Sequence, residues 1–113
     1  VGGLIGYFRG GSLRNSYATG NVSGVRSSSG GLVGLHRGEL LRSFATGHVS
    51  GSFRHLGGLV GYLYYGGIEN SFSLGNVTAA TESGGLVGYA NTNLTIKRSY
   101  AFGKVNKTVG SSY

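Results

Sequence analysis

Few side chains in this sequence are of a type that catalyses acid–base reactions. Carboxylates occur only at Glu39, Glu69 and Glu82, and aspartate is absent. General acid–base catalysis requires paired groups around a substrate, but the three glutamates fall at different positions of the repeat described below. Without aspartate, no residue is available to orient a histidine beside a serine. We therefore expect a non-enzymatic protein with no catalytic residues.

The residues that bind metals and phosphates are equally sparse. His36, His48 and His55 are scattered, and the chain has no cysteine for a thiolate site or a disulfide. The lack of aspartate also excludes the calcium-binding nonapeptide solenoids. The glycines are not followed by Gly-Lys-(Ser/Thr), so a phosphate-binding loop is not indicated. We expect no metal and no cofactor.

The charge is strongly positive, with ten Lys/Arg against three Glu and a net charge of +7. This favours anionic partners such as acidic glycans, cell-envelope polymers or nucleic acid, although solubility through like charge is an equal alternative. Binding of nucleic acid is not expected, because Glu69 and polar connectors interrupt the aligned arginines. No stretch approaches the roughly 20 apolar residues of a membrane span.

A repeat organises the chain. The segment Gly-Gly-Leu-(Ile/Val)-Gly begins at Gly2, Gly30, Gly57 and Gly84, at intervals of 28, 27 and 27 residues. A second block with the pattern Ser-aromatic-small-x-Gly-x-Val follows each copy. A fixed period of this size is typical of stacked repeats. We predict one array of four units: 2–29, 30–56, 57–83 and 84–113.

Each unit predicts short strands separated by glycine turns. No segment keeps a helical spacing of apolar residues, and each glycine would cost a helix about 1 kcal/mol. We expect three strands per unit: one on the Gly-Gly segment, one on the aromatic block after a variable turn, and one around the valine. Stacked in parallel about 4.8 Å apart, the units form an all-β, right-handed parallel β-solenoid of four coils of about 27–28 residues.

Equivalent residues of successive coils should then form columns, or structural ladders. The expected ladders are aromatic (Tyr17, Phe44, Phe72, Tyr100), leucine (Leu4, Leu32, Leu59, Leu86) and valine (Val22, Val49, Val77, Val105). Glu69 aligns with Lys97 on the next coil and predicts a cross-coil ion pair. Which side of the second strand faces inward is open. Invariance of the small residues places them inside, whereas burial energy places the aromatic residues inside, and we prefer the latter.

Exposed polar and aromatic positions suggest two kinds of surface site. Tyr7, Tyr62 and Tyr89 are equivalent in their units and form a candidate surface-binding column, unless they only cover the glycine strand beneath them. Four Asn-x-(Ser/Thr) sequences are acceptors for glycosylation in a eukaryotic secretory host, and turn or ladder residues in a bacterium. They begin at Asn21, Asn76, Asn93 and Asn106.

Gly-Gly-Leu-Val-Gly followed by Asn-Ser-Tyr-Ala-Thr-Gly-Asn-Val resembles the GLUG repeat of bacterial surface proteins. The best matches are in the first unit, 2–6 with 15–22, and in the third, 57–61 with 70–77. The second and fourth units depart from the motif and carry arginine in place of its first asparagine. The resemblance extends over essentially the whole chain. It implies a secreted or surface-attached, adhesin-like protein, and it implies no catalytic residues.

The two ends of the sequence add an expectation about assembly. Terminal repeats normally carry a polar cap, but this chain starts directly on a unit, with Val1 rather than Met, and stops where the next unit would begin. We expect either a piece of a longer surface adhesin or copies that stack end to end into a filament. The functional prediction is an extracellular or cell-surface, bacterial, structural or adhesive β-solenoid that is not an enzyme. The alternative is a glycan- or surface-binding module that uses the tyrosine column.

Overall fold

The structure is a computed structural model that describes residues 2–24, 28–51, 55–79, 82–91 and 94–107. These residues form sixteen strands and no helix. The strands are β1 (Ile5–Arg14), β2 (Tyr17–Ala18), β3 (Val22–Gly24), β4 (Ser29–Gly30), β5 (Val33–Leu41), β6 (Phe44–Ala45), β7 (Val49–Gly51), β8 (Leu56–Gly57), β9 (Val60–Glu69), β10 (Phe72–Ser73), β11 (Val77–Ala79), β12 (Ser83–Gly84), β13 (Val87–Ala90), β14 (Thr95–Lys97), β15 (Tyr100–Ala101) and β16 (Val105–Lys107).

The strands stack into four parallel sheets, because the chain returns to the same sheet once per repeat unit. The long sheet has the order β1-β5-β9-β13, and β14 also pairs with β9. The aromatic sheet contains β2, β6, β10 and β15, the valine sheet contains β3, β7, β11 and β16, and the glycine sheet contains β4, β8 and β12. This is the predicted parallel β-solenoid. Its four strand levels amount to about three complete turns, slightly fewer than the four coils expected.

The core lies inside the two middle levels. Leu32 and Leu59 are completely buried, as are Leu40 of β5 and Leu63 of β9. Leu40 pairs in register with Leu13 below and Ile68 above, so branched apolar side chains stack directly on one another. Each such column removes apolar surface from water and supplies close packing between levels. The inter-level contacts, rather than contacts within one coil, therefore stabilise the fold.

The expected variable turns are strand in three of the four levels. Residues 8–12, 36–39 and 63–67 lie within β1, β5 and β9, and only in the last level does the long strand divide, between β13 and β14. Shifts of register absorb the differences in length between units. Gly38 and Gly66 allow this with φ angles of 135° and 106°, and a Cβ on Gly66 would collide with the carbonyl of Gly38. The glycine sheet adds a fourth short strand to the three predicted per unit.

The preference for buried aromatic residues in the second strand was wrong. Ala45 and Ser73 of the aromatic sheet are fully buried, whereas Tyr17 is 61% exposed. The reason is the close approach of this sheet to the paired glycines that precede each long strand. A Cβ placed on Gly31 would lie 2.8 Å from the Cβ of Ala45, so only a small side chain fits on the inner side. The aromatic rings consequently lie on the outer surface.

A serine column closes the corner between the long sheet and the aromatic sheet. The hydroxyl of Ser43 donates to the carbonyl of Leu41 (2.9 Å) and accepts the backbone N–H of Ser16 (3.2 Å). Ser71 repeats the arrangement one level on and accepts the N–H of Ser43 (3.1 Å). Both serines are almost completely buried. Each hydroxyl thus satisfies two backbone groups that the turn removes from the strand ladders.

The residue before each serine takes a left-handed conformation. Asn15, Arg42, Asn70 and Arg98 have φ angles of 52°, 47°, 52° and 46°. Asparagine tolerates this region well, whereas arginine is uncommon there. Arg42 donates from Nε to Oδ1 of Asn15 (2.9 Å), and Arg98 donates in the same way to Asn70 (2.8 Å). The two arginines that depart from the sequence motif are therefore hydrogen-bond partners of the asparagines one level away.

Candidate binding surface

The outer face of the long sheet carries the candidate site. Along β9 the apolar side chains of Val60 and Leu63 point inward, and Tyr62 between them points outward. Arg37 of β5 pairs with Tyr65, which leaves Tyr64 as an extra residue at the register shift. Tyr64 and Tyr65 are consequently 42% and 48% exposed. One inserted residue thus adds a second adjacent ring to the surface.

Arg37, in the second level, joins tyrosines of the first and third levels. Its NH1 group donates to the hydroxyl of Tyr7 on β1 (3.1 Å). Its guanidinium carbon lies 4.4 Å from the ring centre of Tyr64 and 5.3 Å from that of Tyr65. The hydrogen bond to Tyr7 is the main cause that raises the pKa of Arg37 above its usual value. Arg37 therefore stays charged and is held by cation–π contacts on the outside of the sheet.

A second group of rings continues from Tyr64. The ring centres of Tyr62 and Tyr64 are 5.9 Å apart, and those of Tyr62 and Tyr89 are 5.0 Å apart. His55 packs against both Tyr62 and Tyr89 at 5.0 and 4.9 Å. The hydroxyl of Tyr62 donates to Oδ1 of Asn91 (3.1 Å). We call the whole continuous set the tyrosine–arginine belt, which consists of Tyr7, Arg37, His55, Tyr62, Tyr64, Tyr65 and Tyr89.

The three tyrosines singled out in the sequence lie in one register but not in one stack. Tyr7 pairs with Leu35, Leu35 with Tyr62, and Tyr62 with Tyr89. Leu35 therefore separates Tyr7 from the other two, and Arg37 makes the connection instead. Tyr64 and Tyr65 were missed because they occur in a single unit. The signal that would have found them is the extra residue in the long segment of the third unit.

The aromatic ladder runs along a different face. Phe44 and Phe72 stack with ring centres 4.9 Å apart, and Tyr17 and Tyr100 extend the stack at 5.1 and 5.2 Å. All three pairs are within 6° of parallel. Because successive levels are separated by one strand spacing, in-register rings are obliged to stack in this way. The contacts cover the outer side of the small inward residues.

The valine and leucine ladders are buried in the middle, and the valine ladder is open only at the last level. Val49 and Val77 are almost fully buried, and they pack with Leu56 in a second small core. Val22 is 5% exposed, but Val105 of the last level is 41% exposed. Leu4 and Leu86, the outer members of the leucine column, are less covered than Leu32 and Leu59.

The predicted ion pair between Glu69 and Lys97 is wrong in its cation. Lys97 pairs with Glu69 along the backbone of β14 and β9, as the alignment required. The carboxylate of Glu69, however, contacts the guanidinium of Arg98. Arg98 sits at the left-handed corner, and its Nε hydrogen bond to Asn70 turns the guanidinium back towards β9. The pair is solvent-exposed, so its contribution to stability is small.

The carboxylates of Glu39 and Glu69 lie closer to each other than their different positions in the repeat indicated. Glu39 and Glu69 both line an open depression of about 230 Å³, together with Gly67, Thr95 and Lys97. Since Glu69 is engaged by Arg98, the two acids are not an equivalent pair. Within the described ranges, His, Asp and Glu nowhere cluster in a group of three that would hold a metal ion.

One histidine is buried in the core. His36 is completely buried between Phe8 and Leu63, and its ring stacks on Phe8 at 4.9 Å. Neither ring nitrogen makes a hydrogen bond of normal geometry among the described residues. Burial lowers the pKa of His36 to about 4, and backbone groups of Gly38 and Glu39 oppose the shift only in part. The imidazole is therefore neutral at pH 7 and packs as an apolar ring.

Two of the potential glycosylation acceptors are ladder residues. The backbone N–H of His48 donates to Oδ1 of Asn21, and that of Lys104 donates to Oδ1 of Asn76, both at 2.9 Å. Between them, Nδ1 of His48 accepts the N–H of Asn76 (2.9 Å), so histidine replaces asparagine in the column. Asn106 is exposed on β16, and Asn93 lies outside the described residues.

Comparison with known proteins agrees with the repeat. The family model of the GLUG motif matches residues 1–23 and 54–78, which lie mostly in the first and third units. No curated protein and no solved structure matches the chain. A search of the described residues for a helix long and apolar enough to cross a membrane found none. The chain therefore folds as a parallel β-solenoid in which two stretches match the GLUG motif.

Proposed function

We propose that the chain is a non-catalytic structural and adhesive module of an extracellular, surface-attached bacterial protein, and that its coils stack on further coils of the same repeat. The observation that carries this proposal is the contrast between middle and end levels. Residues that form the dry core of the middle levels have equivalents at the end levels that remain exposed to water. GLUG repeats and β-solenoids are typical of structural repeat modules, which supports the non-catalytic part.

The long-sheet column shows the contrast most clearly. Ile68 of β9 is 1% exposed, whereas Ile96 in the same register on β14 is 45% exposed. At the opposite end Leu4 is 50% exposed, although its equivalent Leu32 is fully buried. An additional coil would bury these side chains at about 25 cal/mol per Å² of apolar surface. The apolar end faces therefore favour a covering coil.

The unpaired backbone edges at the two ends also favour a covering coil of the same repeat. Among the described strands, β1 pairs only with β5 and β16 only with β11, so each has one side without a ladder partner. Open edges of this kind recruit further strands. Another copy of the repeat has the same four kinds of strand, the same serine corner and the same aromatic column. It is thus the partner with the best match in register.

Sedimentation velocity over a dilution series tests the stacking. We expect concentration-dependent growth of the purified chain and its loss in Ile96→Lys, which places a charge on the end face. Thr95→Lys is the matched control, because it adds the same charge to the neighbouring, outward-facing position of β14. Equal association of both variants would refute an end-face contact. Protease digestion of intact cells tests the location, since an intracellular chain would be spared.

A further inference from the structure

We propose that the tyrosine–arginine belt binds an extended polysaccharide that carries carboxylate groups. The proposal deepens the adhesive role above and rests on it, since it names the class of ligand. It is carried by the shape of the belt, by the way its rings are held, and by the charge beside them.

The belt follows the long axis of the stack. Tyr7 lies in the first level, Arg37 in the second, Tyr64 and Tyr65 in the third and Tyr89 in the fourth. Three level spacings of about 4.8 Å give the belt a length of about 14 Å. Its residues form an open surface on a sheet, rather than the wall of a deep cavity. A flat surface of this length fits an extended polymer chain better than a small molecule.

The rings are fixed before a ligand arrives. Tyr62 is held by Asn91, by His55 and by Tyr89, and Arg37 lies against Tyr64 and Tyr65. Tyrosine loses little conformational entropy on binding, and side chains already packed together lose less. Exposed aromatic faces pack against the C–H faces of sugar rings, while the phenol groups hydrogen-bond to hydroxyls. An exposed aromatic patch of this size is itself a mark of a binding site.

The charge beside the rings selects an acidic sugar. Arg9 pairs in register with Arg37, and both side chains lie on the outer face, opposite to Phe8 and His36. Within the described part of the chain, the carboxylate that contacts the belt is that of Glu82, which is 3.2 Å from Nε2 of His55. Guanidinium groups bind carboxylates through paired hydrogen bonds. Single-stranded nucleic acid requires a basic groove along its whole backbone, but among the described residues the arginines beside the belt, Arg9 and Arg37, lie in its first two levels.

Three soluble polymers distinguish the ligands. Isothermal titration calorimetry should show that polygalacturonate binds, that its fully methyl-esterified form binds at least tenfold more weakly, and that oligo-dT binds more weakly than polygalacturonate. The Tyr64→Ala/Tyr65→Ala double variant should lose at least tenfold in affinity for polygalacturonate. The control Tyr17→Ala/Tyr100→Ala, which removes two exposed tyrosines from the aromatic sheet, should stay within twofold of the original affinity.

Arg37→Lys separates recognition by the guanidinium from net charge, because it keeps the charge and loses the planar fork. We expect at least a threefold loss of affinity for polygalacturonate. Absence of binding, equal binding of the esterified polymer, tighter binding of oligo-dT, or equal loss in both double variants would overturn the proposal. Thermal melting of every variant confirms folding. The belt substitutions lie outside the end faces, so they should leave sedimentation unchanged if the end faces stack. Failure to bind polygalacturonate would therefore refute the ligand without refuting the proposed stacking.

Discussion

Acidification should destabilise the fold through His36, and the size of the effect follows from its burial. The unfolded chain binds a proton on this histidine below its ordinary pKa of 6.5, whereas the folded chain does so only below about 4. Between these values the unfolded state holds more protons, so stability falls as the pH falls. With about 1.4 kcal/mol for each pKa unit, the folded state should lose about 2–3 kcal/mol between pH 7.5 and pH 4.5 from this residue alone.

The measurement is urea unfolding followed by circular dichroism at both pH values, for the original chain and for His36→Leu. Leucine is the natural replacement, because Leu63 occupies the same column one level on. It also removes two buried ring nitrogens without hydrogen bonds, so the variant should be at least as stable as the original at pH 7.5. The variant should lose about 2–3 kcal/mol less on acidification. An identical loss in both proteins would refute the burial of a neutral imidazole.

Four further substitutions test the packing between levels by the same unfolding assay. Gly61→Val should prevent folding, because a Cβ on Gly61 lies 2.5 Å from the backbone nitrogen of Ser29, and a cooperative transition in this variant would contradict that close approach. Ser71→Ala should cost about 1–3 kcal/mol by leaving two backbone groups unsatisfied, and a loss below about 0.5 kcal/mol would argue against the serine column. Phe72→Ala on the outer face should cost about 1 kcal/mol and Leu59→Ala in the core about 2–5 kcal/mol, and the reverse order would place the aromatic ladder inside.

Periodicity alone predicted the architecture, for a physical reason. When equivalent residues recur at a nearly fixed interval, parallel stacking brings each onto its copy, and the pairings of Val33 with Val60 and of Phe44 with Phe72 follow directly. A repeat unit cannot bury its apolar face alone, so the stacked arrangement is the one that forms a core. The columns of leucine, valine and aromatic residues were therefore accessible from the sequence.

The features that were missed depend on distances between backbones. Whether Tyr17 or Ala18 faces inward was decided by the close approach of Gly3 and its equivalents to the second strand, which no spacing reveals. Strand formation through the variable segments arose because a neighbouring parallel ladder supports residues that look like a turn in isolation. Glu69 contacts Arg98 rather than Lys97 because Arg98 has a left-handed backbone conformation at the corner, which no spacing in the sequence reveals.

Part of the candidate binding surface could not be predicted from the sequence. Tyr7, Tyr62 and Tyr89 were found because they recur, but the belt is connected by Arg37, whose aligned partner is Arg9, and by the inserted Tyr64, which has no equivalent on β5. A search for recurring residues finds the positions that successive coils share. It does not find a residue such as Tyr64, which is inserted in one coil. The register shift that exposes Tyr64 became visible only when the strands were paired.

Electron microscopy of the purified chain over a dilution series tests the central claim most directly. If the exposed end faces are covered by coils of another copy, concentrated samples should contain filaments with a 4.8 Å layer spacing along the axis and a rise of about 19 Å for each four-level copy. The width of the filament should match the extent of the molecule perpendicular to the stacking axis. The principal extents of the molecule are 36 × 28 × 23 Å. Isolated particles at every concentration, or filaments without the axial 4.8 Å spacing, would contradict coil-on-coil stacking.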